Sequence, residues 1–118
     1  MTYKTFRELL LEAKDYDDFD TYVVERGWQA WMNEYSDDNG SGTKLLDILT
    51  ITYEMGRMSL HDLIASAGSQ KKLSDMIGIP YRTINNWSRG IGTPPPYVCD
   101  LIAFAIFNSK ISSKYELT

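Results

Sequence analysis

Between Gln70 and Gly90 the chain reads QKKLSDMIGIPYRTINNWSRG, a stretch whose side chains suit the edges of base pairs. Arg82, Asn85 and Asn86 are spaced so that a helix would present them on one face. Arginine can hold a guanine edge by two hydrogen bonds, and asparagine can do the same for adenine. Tyr81 and Thr83 offer a thymine-methyl contact or a phosphate hydrogen bond. Gln70, Lys71, Ser88 and Arg89 carry the donors and cations of phosphate anchors, and a helix starting at Gln70 would add backbone N–H groups. The chemistry is recognition, with no covalent bond made or broken.

Such side chains need a rigid support. Leu73, Ile77, Ile79, Ile84 and Trp87 have the spacing to close a small core shared by two short helices. Ser74 is small enough for the second helix to cross the first. Gly78 falls where the chain must turn sharply, and Pro80 suits a first helical turn, where its missing N–H does no harm. Ser69 reads as the cap of the first helix.

The joint pattern resembles the helix-turn-helix of the lambda-repressor/Cro-like family, over about residues 59–108. In that family a Gln opens the first helix, a small residue follows four positions later and a Gly four after that. An apolar residue then comes six later and another, often Trp, three beyond. Gln70, Ser74, Gly78, Ile84 and Trp87 occupy those places in order. GIPYRTINNW, followed by Gly90 and by Pro94-Pro95-Pro96-Tyr97-Val98, is also similar to small bacterial and phage-type regulators, where a proline-initiated fifth helix follows the recognition helix. Ser74 stands where Ala is commoner, and Gly92 where a basic residue is frequent. The resemblance implies an all-α, five-helix domain that binds double-stranded DNA sequence-specifically, with helix 80–89 in the major groove. It also implies a transcriptional regulator, a repressor or autoregulator, of bacterial or mobile-element type.

The net charge of −4 is unevenly spread. Residues 1–42 hold four cations and ten acids, net −6, whereas residues 43–118 hold eight cations and six acids, net +2. Within 68–92, Lys71, Lys72, Arg82 and Arg89 face only Asp75. Phosphate affinity follows such a local field rather than the total.

Composition excludes several classes. The longest apolar run, Leu101 to Phe107, has seven residues, far short of the roughly 20 of a membrane span. The N-terminus lacks a signal-peptide core, and a single cysteine, Cys99, forbids an intrachain disulfide and fits a reducing cytoplasm. Cys99 lies in an apolar stretch and reads as a small core residue. One Cys and one His make no zinc ligand set, and no nucleophile–base pair, phosphate loop or cofactor motif appears. Asp15, Asp17, Asp18 and Asp20 lack the spacing of a calcium loop and read as the acidic start of a helix. His61, in a first helical turn, reads as exposed and without a partner.

Ser36 to Gly42, SDDNGSG, is the clearest break, with Asp37-Asp38-Asn39-Gly40 a turn. It divides an acidic helical segment, 1–42, from a DNA-binding domain, 43–108, with a frayed tail at 109–118. The N-terminal segment contains a helix striped by Phe6, Leu9, Leu10 and Ala13, then short helices at Asp18–Arg26 and Trp28–Tyr35. Trp28 and Trp31 read as core or interface. Helices follow at Thr43–Met58 and from a Ser59/Asp62 capping box to Ala67. A last helix runs from Pro94-Pro95 to about Asn108. There Val98, Leu101, Ile102 and Ala105 line one face, while Tyr97, Phe104 and Phe107 widen it into the expected interface of a homodimer. An alternative of another class stays open: a phage or mobile-element interaction protein, antitoxin-like or anti-CRISPR-like, whose N-terminal half binds a protein and whose helix-turn-helix is autoregulatory.

Overall fold

A computed structural model describes residues 1–36 and 42–115. All regular structure among them is helical: α1 Tyr3–Ala13, α2 Phe19–Arg26, a 3-10 helix Ala30–Tyr35, α3 Thr43–Met55, α4 Leu60–Ala67, α5 Gln70–Ile77, α6 Tyr81–Ser88 and α7 Pro96–Tyr115. The Asp37–Gly40 turn lies outside the described residues, as do residues 116–118 of the expected tail. The chain divides into two compact units, Met1–Arg57 and Met58–Thr118.

In the first unit α1, α2 and the 3-10 helix pack on α3. Ala13, Tyr22 and Leu49 are buried together, with Tyr16, Phe19, Val23, Trp31 and Tyr53 packed around them. Asp18 caps α2, accepting the Thr21 N–H at 2.8 Å and the Thr21 hydroxyl at 2.9 Å. The backbone hydrogen bond, then the hydroxyl, lower its pKa. The acid cluster is thus a helix start, as its spacing suggests.

The expected boundary at residue 42 differs from the one that packing makes. Helix α3 ends against α1: a Cβ on Gly56 would stand 3.0 Å from Ala13 Cβ and 3.1 Å from the Leu10 carbonyl oxygen. Arg57 then donates to the Ala13 carbonyl at 2.7 Å and to that of Tyr16, with its guanidinium 3.8 Å from the Tyr53 ring centre. A cation on the exposed carbonyls at a helix end is favourable. Gly56 and Arg57 therefore bind α3 to the first unit, and the described residues of the second hold four helices, α4 to α7, rather than the five expected from residue 43 on.

Two further elements differ from their expected bounds. Trp28 precedes the 3-10 helix instead of opening an α-helix, and at 63% exposed it is not core, which leaves the interface half of its expected role, whereas Trp31 is half-buried. Helix α7 begins at Pro96 and continues past Asn108 to Tyr115, because Ile111 extends the buried row of Ala103 and Phe107 by another turn.

In the second unit α4 packs on α5 and α7, and α5 packs on α6 and α7. The expected capping box is present: Ser59 Oγ accepts the Asp62 N–H at 3.2 Å, and the Asp62 carboxylate accepts the Ser59 N–H at 3.0 Å. Leu63, Ile64, Leu73, Ile84, Ile102, Ala103, Ile106, Phe107 and Ile111 are buried there, together with Pro94.

Candidate nucleic-acid interface

Helices α5 and α6 are joined by a turn of three residues. Ser69 Oγ accepts the Lys72 N–H at 3.0 Å and starts α5. Gly78 stops it in the left-handed conformation, φ 77°, with its N–H on the Ser74 carbonyl at 2.9 Å. A Cβ on Gly78 would meet nothing within 4 Å, so glycine is needed there for backbone conformation and not for room. Ser74 Oγ donates to the Ile79 carbonyl at 2.6 Å, tying the turn to the helix before it. The Pro80 carbonyl then accepts the N–H groups of Thr83 and Ile84 and opens α6.

Leu73 on α5 and Ile84 on α6 are fully buried, and Ile77, Ile79 and Trp87 are half-buried. Full burial of one such aliphatic side chain contributes about 1.5–3 kcal/mol. With Ile84 directed inward, a helix of 3.6 residues per turn turns Arg82 and Asn86 to the opposite side and sets Asn85 beside them, about 100° round from Ile84, with Arg89 following as the C-cap. Arg82 and Arg89 are exposed there, and Asn85 and Asn86 half-buried between them. Tyr81 is exposed at the start of the helix, while Thr83 is half-buried on its flank. The expected base-reading residues thus share one helix, with Arg82, Asn85 and Asn86 on a single face and Tyr81 and Thr83 beside it.

The expected phosphate anchors fall into two groups. Lys71 and Arg89 are exposed, and among the described residues neither they nor Arg82 form an ion pair. Gln70 and Ser88 are half-buried, and Gln70 Oε1 is buried without a hydrogen-bond partner. Lys72 lies back along Gly68, where a Cβ would come within 2.8 Å of its Cδ. Lys71 is the freer of the two lysines.

His61, read as partnerless, is exposed but hydrogen-bonded: its Nε2 lies 2.9 Å from the Ser88 carbonyl oxygen. Nothing in the sequence pattern could signal a bond across 27 residues. Next to it the Asp62 pKa is lowered, first by the Ser59 N–H, then by the Ser59 hydroxyl, with a smaller contribution from His61.

The expected dimer residues separate on α7. Tyr97 is 60% exposed and Phe104 half-buried, but Phe107 is 1% exposed and belongs to the core. Leu101, assigned to the core face, is exposed one turn from Tyr97. The buried row passes instead through Ile102, Ala103, Ile106 and Phe107. Cys99 is half-buried. Among the described residues no group of three or more His, Cys, Asp or Glu could hold a metal ion, and no helix is long and apolar enough to cross a membrane.

Comparison with protein-family models, curated proteins and solved structures finds no match to this chain.

Proposed function

We propose that the chain is a sequence-specific double-stranded DNA-binding regulator that reads the major groove with α6, in the manner of the lambda-repressor/Cro-like family. One observation carries this reading: Arg82 and Asn86 lie opposite the buried Ile84, with Asn85 beside them and Arg89 at the C-cap, both arginines exposed and free of acidic partners. An eight-residue helix carrying one cation and two primary amides on one face, with a second cation at its C-cap, fits the hydrogen-bonding pattern of the major-groove floor. Arg82, Asn85 and Asn86 read bases, with Tyr81 and Thr83 at the edges of the contact. Lys71, Arg89, Gln70 and Ser88 meet the backbone.

One short recognition helix covers too few base pairs to be selective, and a homodimer supplies the second. Tyr97 and Leu101, one turn apart and exposed on α7, are the face proposed for it, in place of Phe107. The operator then holds two half-sites about 34–36 Å apart. The test is selection of sites from a randomised duplex pool by the full chain. A common two-part site should emerge; a pool still random after repeated rounds would refute the reading.

A second reading, of a protein partner bound through residues 1–42, is favoured by one feature of α2. Val24 is 76% exposed beside Asp20 and Glu25, and Trp28 follows two residues after the helix end. Apolar side chains amid exposed acids suit a basic, apolar protein surface. Copurification with a host protein that is lost on Val24→Ser and Trp28→Ser substitution, with no site emerging from the duplex pool, would favour this reading over the first.

A further inference from the structure

We infer that His61 is a positioning residue for α6: it closes the C-terminal end of that helix from α4 and so fixes the direction of the face carrying Arg82, Asn85, Asn86 and Arg89. The inference rests on the DNA-binding reading for its functional consequence and on geometry alone for the clamp.

The last four carbonyls of an α-helix have no acceptor role within it and need donors from elsewhere. In α6 three of them are met locally. The Asn85 carbonyl accepts from Arg89 N–H at 3.0 Å, that of Asn86 from Ile91 N–H at 2.7 Å, and that of Trp87 from Gly90 N–H at 3.0 Å. The Ile91 and Gly90 bonds are the paired closure of a helix ending in a left-handed residue, here Gly90 at φ 80°. The fourth carbonyl, Ser88, is met by His61 Nε2 at 2.9 Å. A carbonyl oxygen only accepts, so Nε2 carries the hydrogen, in the Nε2–H tautomer or in imidazolium. Either form places a donor at the negative end of the helix dipole, where α6 has no basic residue in its last turn.

The position of His61 gives this bond its leverage. The residue stands in the first turn of α4, whose start is held by the reciprocal Ser59–Asp62 bonds. Helices α4 and α6 each pack on α5, and His61 spans directly between them. At its other end α6 is held by the Gly78–Pro80 turn. Without the His61 bond its C-terminal end loses its direct hydrogen bond to α4 and is held by the apolar contacts of Ile84 and Trp87 and by its closure on residues 89–91. Asn85 and Asn86, which stand in the last turn of α6, would shift with that end.

Two measurements on the full chain test this. The first is heteronuclear NMR of the His61 ring: hydrogen on Nε2 and a through-bond coupling to the Ser88 carbonyl carbon are expected, and an Nδ1–H tautomer without coupling would overturn the clamp. The second compares His61→Ala and His61→Gln on a duplex selected by the wild-type chain and on its scrambled counterpart. A lost hydrogen bond corresponds to about a three- to tenfold weakening, expected for His61→Ala on the selected duplex and not on the scrambled one. Gln carries an N–H donor close to the place of Nε2, and should restore most of the loss. Unchanged affinity for His61→Ala, or an equal loss on both duplexes, would overturn the positioning role. If the wild-type chain selects no duplex, the DNA-binding reading fails while the NMR result still decides the clamp.

Discussion

The Ser74 hydroxyl donates to the Ile79 carbonyl across 2.6 Å, joining the second turn residue to the middle of α5. Without it the Ile79 carbonyl would lose its donor as the chain leaves the left-handed Gly78. Alanine has the right size at this place but no donor. Ser74→Ala is expected to cost about 0.5–1.5 kcal/mol, the net value of such a bond. Denaturant unfolding checks it, and unchanged stability would show that water replaces the serine at no cost.

Gly78 and Gly56 are glycines for opposite reasons. Gly78 has φ 77° and open space around its Cα, whereas Gly56 has an ordinary helical φ and α1 within 3.1 Å of where a Cβ would stand. Gly78→Ala should cost about 1–2 kcal/mol from left-handed strain, and Gly78→Asn less, since Asn tolerates that conformation. Gly56→Ala should cost about 1–3 kcal/mol from overpacking, and Gly56→Asn more. The reversed order of Ala and Asn at the two sites is the readout; the same order at both would contradict the assignment.

Tyr22 and Thr52 are fully buried, with their hydroxyl oxygens 3.1 Å apart; Thr52 also donates to the Leu49 carbonyl at 3.1 Å. Burial raises the Tyr22 pKa, and the Thr52 hydrogen bond and the charge of Arg26 oppose the rise. Thr52→Val keeps the volume and removes one partner of a buried polar pair, at an expected cost of about 1–3 kcal/mol. The double variant Thr52→Val with Tyr22→Phe should recover part of that loss, because the buried Tyr22 hydroxyl, otherwise left with only the long bond to the Leu9 carbonyl at 3.4 Å, is then removed as well. Strictly additive losses in the double-mutant cycle would show that the two hydroxyls are not coupled.

Asp18 and Asp62 have lowered pKa values because each accepts a backbone N–H at a helix start. A depressed folded-state pKa contributes stability that is complete above the unfolded value of about 4 and is lost as pH falls through the folded value. The melting temperature should therefore fall below about pH 4, and less steeply in the Asp18→Asn, Asp62→Asn double variant, which cannot titrate there. Parallel profiles for the two proteins would contradict the linkage.

What the sequence revealed was what neighbours along the chain decide. Ser59 with Asp62, Ser69 ahead of Lys72, and Gly78 before Pro80 are local signals, and each sits at the helix boundary it marked. The Arg82–Asn86 face was legible because Ile84 and Leu73 keep the helical period that buries them. What was not legible depends on distant contacts. The Asp- and Gly-rich break after Ser36 was the natural place for a domain edge in the sequence, whereas Gly56 and Arg57, which bind α3 to α1, give no such signal. Phe107 and Leu101 exchange roles because α7 is apolar on most sides, so periodicity alone could not choose its inner row. The bond from His61 to Ser88 has no local trace at all.

The central claim, base reading by α6, is tested most directly by the affinity of the full chain for its selected duplex and for a scrambled one across a range of salt. Arg82→Ala should lose about 1–3 kcal/mol on the selected duplex and almost nothing on the scrambled one. Lys71→Ala should weaken both alike and reduce the salt slope by about one. Equal losses on the two duplexes for Arg82→Ala, or a wild-type chain that does not distinguish them, would contradict it.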